Sequence, residues 1–176
     1  SWRGAVPARH AFSADGRWHF ESTYDGACLL RNLTTGRELT PLISMRHAMS
    51  AGFSPDGKLL AVASDRPCTW VFEAESFQEI ATLRGYLQGV SSAAFSPDGK
   101  RLATASEGRE AIKLWDAESH QDLLTLGGQG ARFQSSPISP DGNIIGSMNV
   151  KHVLHLWRAP SWEEIAKAEA KENTKL

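Results

Sequence analysis

The sequence predicts an all-β protein built from four copies of one unit of about forty residues, because two separate markers recur in step. The first marker is a turn motif whose opening residue stands at positions 12, 53, 95 and 138, so it returns after 41, 42 and 43 residues. The second marker returns after 41, 43 and 42 residues, at Arg31, Phe72, Trp115 and Trp157. Two markers that keep the same period indicate a repeated structural unit.

The turn motif predicts a tight hairpin. In its clearest copy, Phe95-Ser96-Pro97-Asp98-Gly99, proline presets φ, aspartate can bond back to the backbone and glycine accepts a conformation that side chains disfavour. The other copies read Phe-Ser-Ala-Asp-Gly at 12–16, Phe-Ser-Pro-Asp-Gly at 53–57 and Ile-Ser-Pro-Asp-Gly at 138–142. A period near forty with several short strands per unit is typical of a β-propeller of four-stranded blades, whose strands we letter a to d.

Alternating apolar residues and turn signals place the strands of the first two units. The first unit, about 7–43, is predicted to have strand a ending at 10–12, b at 18–22, c at 28–31 and d beginning at 38–39. The second unit, about 44–84, is predicted to have its four strands at 50–53, 59–63, 69–73 and 78–83. Small residues in strand a suit a position where the innermost strands converge on a central channel.

The third unit, about 85–127, is predicted to have strand b at 102–106, c at 112–116 and d at 122–126. The fourth, about 128–160, is predicted to have strand a at 133–138, b at 143–147 and c at 153–158. The tail, 161–176, is predicted to contain a short helix, because Ser161 and Glu164 form a capping box and strong helix formers follow. The competing interpretation assigns residues 162–168 to strand d of the fourth unit instead of a helix.

The third unit resembles the WD40-repeat family. The turn at 95–99, Leu102-Ala103-Thr104-Ala105-Ser106 and Ile112-Lys113-Leu114-Trp115-Asp116 carry the resemblance, and weaker copies extend it from about residue 7 to 157. It implies a fragment of a propeller, since the family commonly closes rings of about seven or eight blades. We therefore expect this chain to be part of a longer protein, to contact the remaining blades of the parent propeller, and to self-associate through unpaired edges.

One part of the family pattern is missing. WD40 repeats usually carry a Gly-His pair whose histidine joins a buried hydrogen-bond network, whereas this chain has Gly85-Tyr86 in that place. We expect apolar packing to stabilise the blades instead of that network. The side chains expected to be buried between blades are Phe53, Phe72, Phe95, Leu102, Leu114, Trp115, Ile144, Leu156 and Trp157.

Composition and charge exclude several classes of function. With 19 basic and 20 acidic residues, the formal net charge of −1 provides no overall field that would attract nucleic acid or a membrane. No apolar run approaches the roughly 20 residues that a membrane span requires. We expect a cytoplasmic protein in which Cys28 and Cys68 are buried free thiols.

The sequence offers no convincing catalytic, cofactor or metal site. The six histidines lie in different predicted strands and loops, and His152 and His155 fall on opposite faces of a strand. The four turn aspartates are explained by the turn itself. Glycines at 127–130 are followed by neither a lysine-serine pair nor a helix, so they are interpreted as a loop.

The resemblance implies a binding module whose d–a and b–c loops meet on one face of the disc. The predicted partner-binding residues on these loops are Arg46, His47, Met49, Arg66, Tyr86, Gln88, Arg109, Arg132 and Lys151. Arginine and tyrosine are enriched in binding hot spots. The basic side chains favour a protein or peptide partner that is acidic or phosphorylated.

Two alternatives remain open at this point. Residues 156–165 look like the C-terminal end of bacterial WD40-repeat proteins, some of which carry a serine/threonine kinase domain, so the chain could be a regulatory or targeting domain of a larger enzyme. A TolB-type propeller also uses Ser-Pro-Asp-Gly turns. Trp115-Asp116 after Ile112-Lys113-Leu114 favours the WD40 assignment.

Overall fold

The computed structural model describes residues 7–23, 26–40, 48–128 and 132–159. Within these ranges the protein is all-β and consists of four antiparallel sheets, three with four strands and one with two. In each four-stranded sheet the strands lie side by side in chain order, as consecutive hairpins place them. The predicted fold class, a propeller fragment of four blades, is therefore confirmed.

The first three blades agree with the strands predicted from the sequence. Blade 1 consists of β1 (Pro7–Phe12), β2 (Trp18–Thr23), β3 (Cys28–Asn32) and β4 (Glu38–Leu39). Blade 2 consists of β5 (Ala48–Phe53), β6 (Leu59–Ser64), β7 (Cys68–Glu73) and β8 (Glu79–Arg84). Blade 3 consists of β9 (Val90–Phe95), β10 (Arg101–Ser106), β11 (Ile112–Asp116) and β12 (Asp122–Leu126).

Blade 4 differs from the prediction at its strand a. Its two strands are β13 (Ile144–Met148) and β14 (Leu154–Arg158), while the segment 133–138 contacts β13 through isolated bridges instead of a continuous ladder. Pro137 explains the interruption, because it accepts a hydrogen bond from Gly146 N at 3.0 Å but has no N–H to return. The predicted helix in 161–176 and the competing strand at 162–168 lie outside the described residues.

The recurring turn is held by one arrangement of hydrogen bonds. In blade 3 the Ser96 hydroxyl donates to Asp98 Oδ1 at 2.6 Å, and the amide of Lys100 donates to the same oxygen at 3.0 Å. Gly99 has φ of 71°, a left-handed conformation that glycine adopts without steric cost. The serine-aspartate bond recurs in the other three blades, so the same local motif forms the turn before strand b in every unit.

Three apolar clusters join successive blades. The cluster between blades 1 and 2 contains Trp18, Phe20, Leu30, Leu60, Val62, Trp70, Phe72 and Phe77. The next, between blades 2 and 3, contains Val71, Leu83, Tyr86, Val90, Leu102 and Trp115, and the third contains Ile112, Phe133 and Ile145. Burial of this apolar area, at about 25 cal/mol per Å², is the main term that stabilises the arc of blades.

Most of the residues expected between blades are buried or partly buried there. Phe72, Leu102 and Trp115 are buried, and Phe53, Phe95, Leu114 and Trp157 pack against the clusters. Ile144 is half-buried outside the clusters. The prediction for Leu156 was wrong, since 63% of it is exposed. Side chains alternate across a strand, so Leu156 points away from blade 3 when Trp157 faces it.

The two cysteines behave as predicted. Cys28 and Cys68 are buried in the cluster between blades 1 and 2, and neither forms a disulfide. Each is the first residue of its strand c.

Within the described ranges, no helix has the length and apolar character needed to cross a bilayer.

Candidate partner-binding face

The d–a and b–c loops of neighbouring blades contact one another and form a continuous face. The Gly89 backbone, between β8 and β9, approaches the carbonyl of Asp65 so closely that a Cβ at position 89 would overlap it. The same loop accepts a hydrogen bond of 2.9 Å from Glu107 N at Gly89 O, and Glu107 O accepts one of 2.9 Å from Arg132 N. Backbone contacts therefore connect loops from blades 2, 3 and 4, and we call this surface the loop face.

A cavity of about 280 Å³ opens where the inner strands meet the loop face. Blades 1 and 2 contribute Arg9 and Met49, and Arg9 Nε donates to the Met49 carbonyl at 2.5 Å. The other lining residues, from blades 3 and 4, are Ser91, Glu107, Arg132, Phe133, Gln134 and Val150. Of the predicted binding residues, the structure thus brings Met49 and Arg132 to one cavity.

Four other predicted residues that the structure describes are exposed elsewhere on this face. Arg66, Arg109 and Lys151 are exposed in the b–c loops of blades 2, 3 and 4. Gln88 is exposed in the d–a loop, and its side chain lies close to Gly108, the neighbour of Arg109. Arg46 and His47 lie outside the described residues.

The loop face has mixed charge with a basic excess. Its described basic side chains are Arg9, Arg66, Arg109, Arg132 and Lys151, and acidic ones in the same loops are Asp65, Glu107 and Glu110. Among the described residues, Arg66, Arg109 and Arg132 form no ion pair. By contrast, Arg31 is paired with Glu38 at 2.8 Å and Arg17 with Asp15 at 2.5 Å.

Tyr86 has to be removed from the predicted partner-binding residues, because its side chain is buried inside blade 3. Its hydroxyl donates to the Thr104 carbonyl at 2.6 Å and accepts from Lys113 N at 2.9 Å. It also lies 2.7 Å from Thr104 Oγ1, which accepts from Trp115 Nε1 at 2.8 Å. Burial raises the pKa of Tyr86 above its ordinary value, so the phenol stays neutral.

These bonds also correct the expectation that apolar packing replaces the buried network. The tyrosine hydroxyl reaches the threonine of strand b and, through it, the tryptophan of strand c, so blade 3 has a polar network without histidine. The signal in the sequence was Tyr86 itself, which is a long side chain with a polar end at the position where the family has histidine. We missed it because the family pattern names histidine there.

Lys113 is a buried cation that the sequence reasoning also missed. Its Nζ donates to Asp122 Oδ2 at 2.6 Å and to Thr125 Oγ1 at 2.9 Å. The ammonium lies 5.7 Å from the ring centroid of Tyr86 and 5.8 Å from that of Trp115, within cation–π range. Lys113 lies two residues before Trp115, and alternate residues of a strand share a face. This spacing was the signal in the sequence that places Lys113 beside the buried tryptophan.

A larger cavity, of about 770 Å³, lies on the opposite face among the a–b turns of blades 2 and 3 and the c–d turn of blade 3. Its carboxylates include Asp56, Asp98 and Asp116, and each accepts hydrogen bonds within its own turn. Those bonds lower the pKa of all three carboxylates. The three carboxylates are therefore structural hydrogen-bond acceptors rather than proton donors. The larger volume of this cavity does not by itself identify it as the partner site.

Comparison with known proteins identifies the repeat. Residues 77–116 match the family model described as WD domain, G-beta repeat. The match spans β8 to β11, so one sequence repeat comprises strand d of blade 2 and strands a, b and c of blade 3. No curated protein matches the chain. The match shows a WD40-type repeat at residues 77–116 and supports the WD40 assignment over the TolB type.

Proposed function

We propose that this chain is a noncatalytic protein-interaction scaffold whose loop face binds an acidic or phosphorylated peptide. WD40 repeats generally mediate protein–protein interactions, which supports the scaffold part of the proposal. The observation that carries the site assignment is the set of exposed guanidinium groups at Arg66, Arg109 and Arg132, which have no ion-pair partner among the described residues.

The chemistry of arginine points to the class of partner. A guanidinium presents donors in a planar fork that matches the oxygens of a carboxylate or phosphate, and charge-assisted bonds of this kind are stronger than neutral ones. Three such groups on loops of three successive blades suit an extended peptide with several negative charges. Glu107, at the cavity beside Arg132, would disfavour a dense run of acids at that point.

The cavity supplies a place for an anchoring side chain. Phe133, Met49 and Val150 give it apolar walls, while Arg132 and Gln134 provide polar groups at its lining. An interface that combines one buried anchor with a charged surround is the usual pattern of a peptide site. We therefore place the partner across the cavity, with its negative groups toward the arginines of blades 2 and 3.

Binding of labelled peptides by fluorescence anisotropy tests this proposal. A library of matched peptides in phosphorylated, glutamate-substituted and neutral forms would be titrated with the full chain at two salt concentrations. We expect the phosphorylated or acidic forms to bind more tightly, with affinity that falls as salt rises. Equal binding of neutral forms, or binding unaffected by Arg132→Gln, would contradict the assignment.

The matched control is Lys100→Gln, a change of one exposed basic residue on the opposite face. It alters the net charge as Arg132→Gln does but leaves the loop face intact. Equal losses in both variants would show that the peptides respond only to overall charge.

A further inference from the structure

The sheet of blade 1 carries a group of ionisable side chains on its face away from blade 2. Trp18, Phe20 and Ala11 point into the cluster between blades 1 and 2. The residues alternating with them, namely His10, Phe12, His19 and Glu21, lie on the other face. In the register of β1 and β2, His10 is opposite Glu21 and Phe12 is opposite His19, so the four side chains form a compact block.

The sequence reasoning separated the two histidines because they lie in different strands, but pairing of those strands makes them neighbours. His10 Nδ1 lies 3.1 Å from His19 Nε2. One ligand atom from each of His10, His19 and Glu21 lies within 4.8 Å of the other two. The Phe12 ring stacks on the His19 ring with centroids 4.4 Å apart, which limits the orientations that the imidazole can adopt.

The repeats provide an internal comparison for these three positions. In blade 2 the corresponding residues, counted from the turn motif, are Ala51, Leu60 and Val62, and they pack against blade 1. The corresponding sets in the other blades are Ala93, Leu102 and Thr104 in blade 3, and Ser136, Ile145 and Ser147 in blade 4. Blade 1 therefore replaces small, apolar or hydroxyl side chains by two imidazoles and a carboxylate.

We propose that His10, His19 and Glu21 form a site for a divalent transition metal ion, with Zn²⁺ as the best match. Imidazole nitrogen and carboxylate oxygen are ordinary zinc ligands, and Zn–N bonds of about 2.0–2.1 Å at tetrahedral angles place two nitrogens about 3.3 Å apart. The separation of 3.1 Å between the two ring nitrogens is close to that value. Two nitrogen ligands disfavour Mg²⁺ and Ca²⁺, which prefer oxygen.

One neighbouring positive charge faces the block, and it is held in an ion pair. This cation, Arg31, lies opposite His19 in the register of β2 and β3. Its guanidinium is bound to Glu38 Oε1, with Nη2 at 2.8 Å and Nε at 3.0 Å. The positive charge beside the block is thus partly neutralised. Three protein ligands leave the fourth zinc position for water or for a group from a partner.

Isothermal titration of the full chain with Zn²⁺ in metal-free buffer tests the proposal. We expect one ion per chain, and loss of binding in the double variant His10→Gln, His19→Gln. Glu21→Gln should weaken binding by more than about tenfold, since even outer-shell partners contribute about 10–100-fold to metal affinity. Far-UV circular dichroism of each variant would show that the sheet still folds.

The control is His152→Gln, an exposed histidine between β13 and β14. It should bind Zn²⁺ as the unmodified chain does. A visible absorption band on titration with Co²⁺, present in the control and absent in the double variant, would identify imidazole ligation. Absence of Zn²⁺ binding would show that the close approach of the two rings is a hydrogen bond without a metal. Binding that survives the double variant would place the ion elsewhere, and either outcome overturns the proposal.

Discussion

Trp115 and Thr104 are joined by a buried hydrogen bond, in which the indole Nε1 donates to Oγ1 at 2.8 Å. The Tyr86 hydroxyl lies 2.7 Å from the same oxygen and reaches it from the d–a loop. Strand b, strand c and the preceding loop of blade 3 are thus connected through one threonine side chain that is fully buried. A buried network in which each group has a partner also makes the blade sensitive to loss of any member.

The first prediction concerns the tyrosine of this network. Tyr86→Phe should lower the free energy of unfolding by about 1–3 kcal/mol, because Lys113 N–H loses its acceptor in a buried site. Urea denaturation followed by tryptophan fluorescence measures the change. Leu87→Ala is the control, since Leu87 is 89% exposed and should alter stability by less than about 0.5 kcal/mol. Equal stability of Tyr86→Phe and the unmodified chain would contradict the network.

The second prediction compares two tryptophans at the same repeat position. Trp115→Ala should cost about 3–5 kcal/mol, because Trp115 is buried between blades 2 and 3 and also donates to Thr104. Trp157→Ala should cost clearly less, because that side chain is half-buried. The same denaturation experiment compares them. A loss below about 1 kcal/mol for Trp115→Ala would mean that the side chain is not packed as described.

The third prediction concerns the close approach of inner strands. A Cβ at Gly52 would lie 2.9 Å from the carbonyl oxygen of Ala93 in the next blade. Gly52→Ala should therefore destabilise the protein by about 1–3 kcal/mol, since one backbone must shift. The matched control is Gly146→Ala in β13, where the nearest atom is a Leu156 methyl carbon at 3.5 Å. Thermal unfolding should separate the two variants, and an equal effect would argue against the inter-blade contact.

The fourth prediction concerns acid stability. Hydrogen bonds from Ser13 and from the Arg17 backbone and side chain lower the pKa of Asp15 from 3.8 to about 2. The unfolded chain therefore binds more protons at this residue between about pH 4 and pH 2, so its stabilising contribution is present above that window and is lost as pH falls through it. We expect Asp15→Asn to show a shallower decline of unfolding free energy with acidification.

The measurement is urea denaturation at a series of pH values. Glu118→Gln is the control, because that exposed glutamate accepts no hydrogen bond in a Ser-x-Asp-Gly turn. Identical pH profiles for Asp15→Asn and the unmodified chain would show that the turn bonds do not hold the carboxylate ionised in solution.

Local signals were sufficient for most of the fold. The Ser-x-Asp-Gly turn specifies its own hydrogen bonds, so strands a and b could be placed from a few adjacent residues. The same reasoning failed at residues 133–138, where the turn motif is intact but Pro137 interrupts the ladder. Proline at a strand centre was visible in the sequence, and its effect on pairing was underweighted.

The features missed at the sites depend on pairing between segments. Tyr86 becomes structural only because its hydroxyl meets Thr104, 18 residues away, inside the blade. His10 and His19 become neighbours through the register of β1 and β2, which periodicity alone does not define. The exposed arginines of the loop face could be predicted because loop positions follow from strand order.

The central claim is that the loop face, and not the opposite one, binds the partner. Affinity purification with the full chain would be followed by quantitation of each captured protein for two triple variants. One reverses charge at Arg66, Arg109 and Arg132, and the other at Arg37, Lys58 and Lys100, which are exposed in the turns of the opposite face. We predict that the first variant loses the partners of the unmodified chain and the second retains them. Retention by the first variant, or equal loss from both, would contradict the claim.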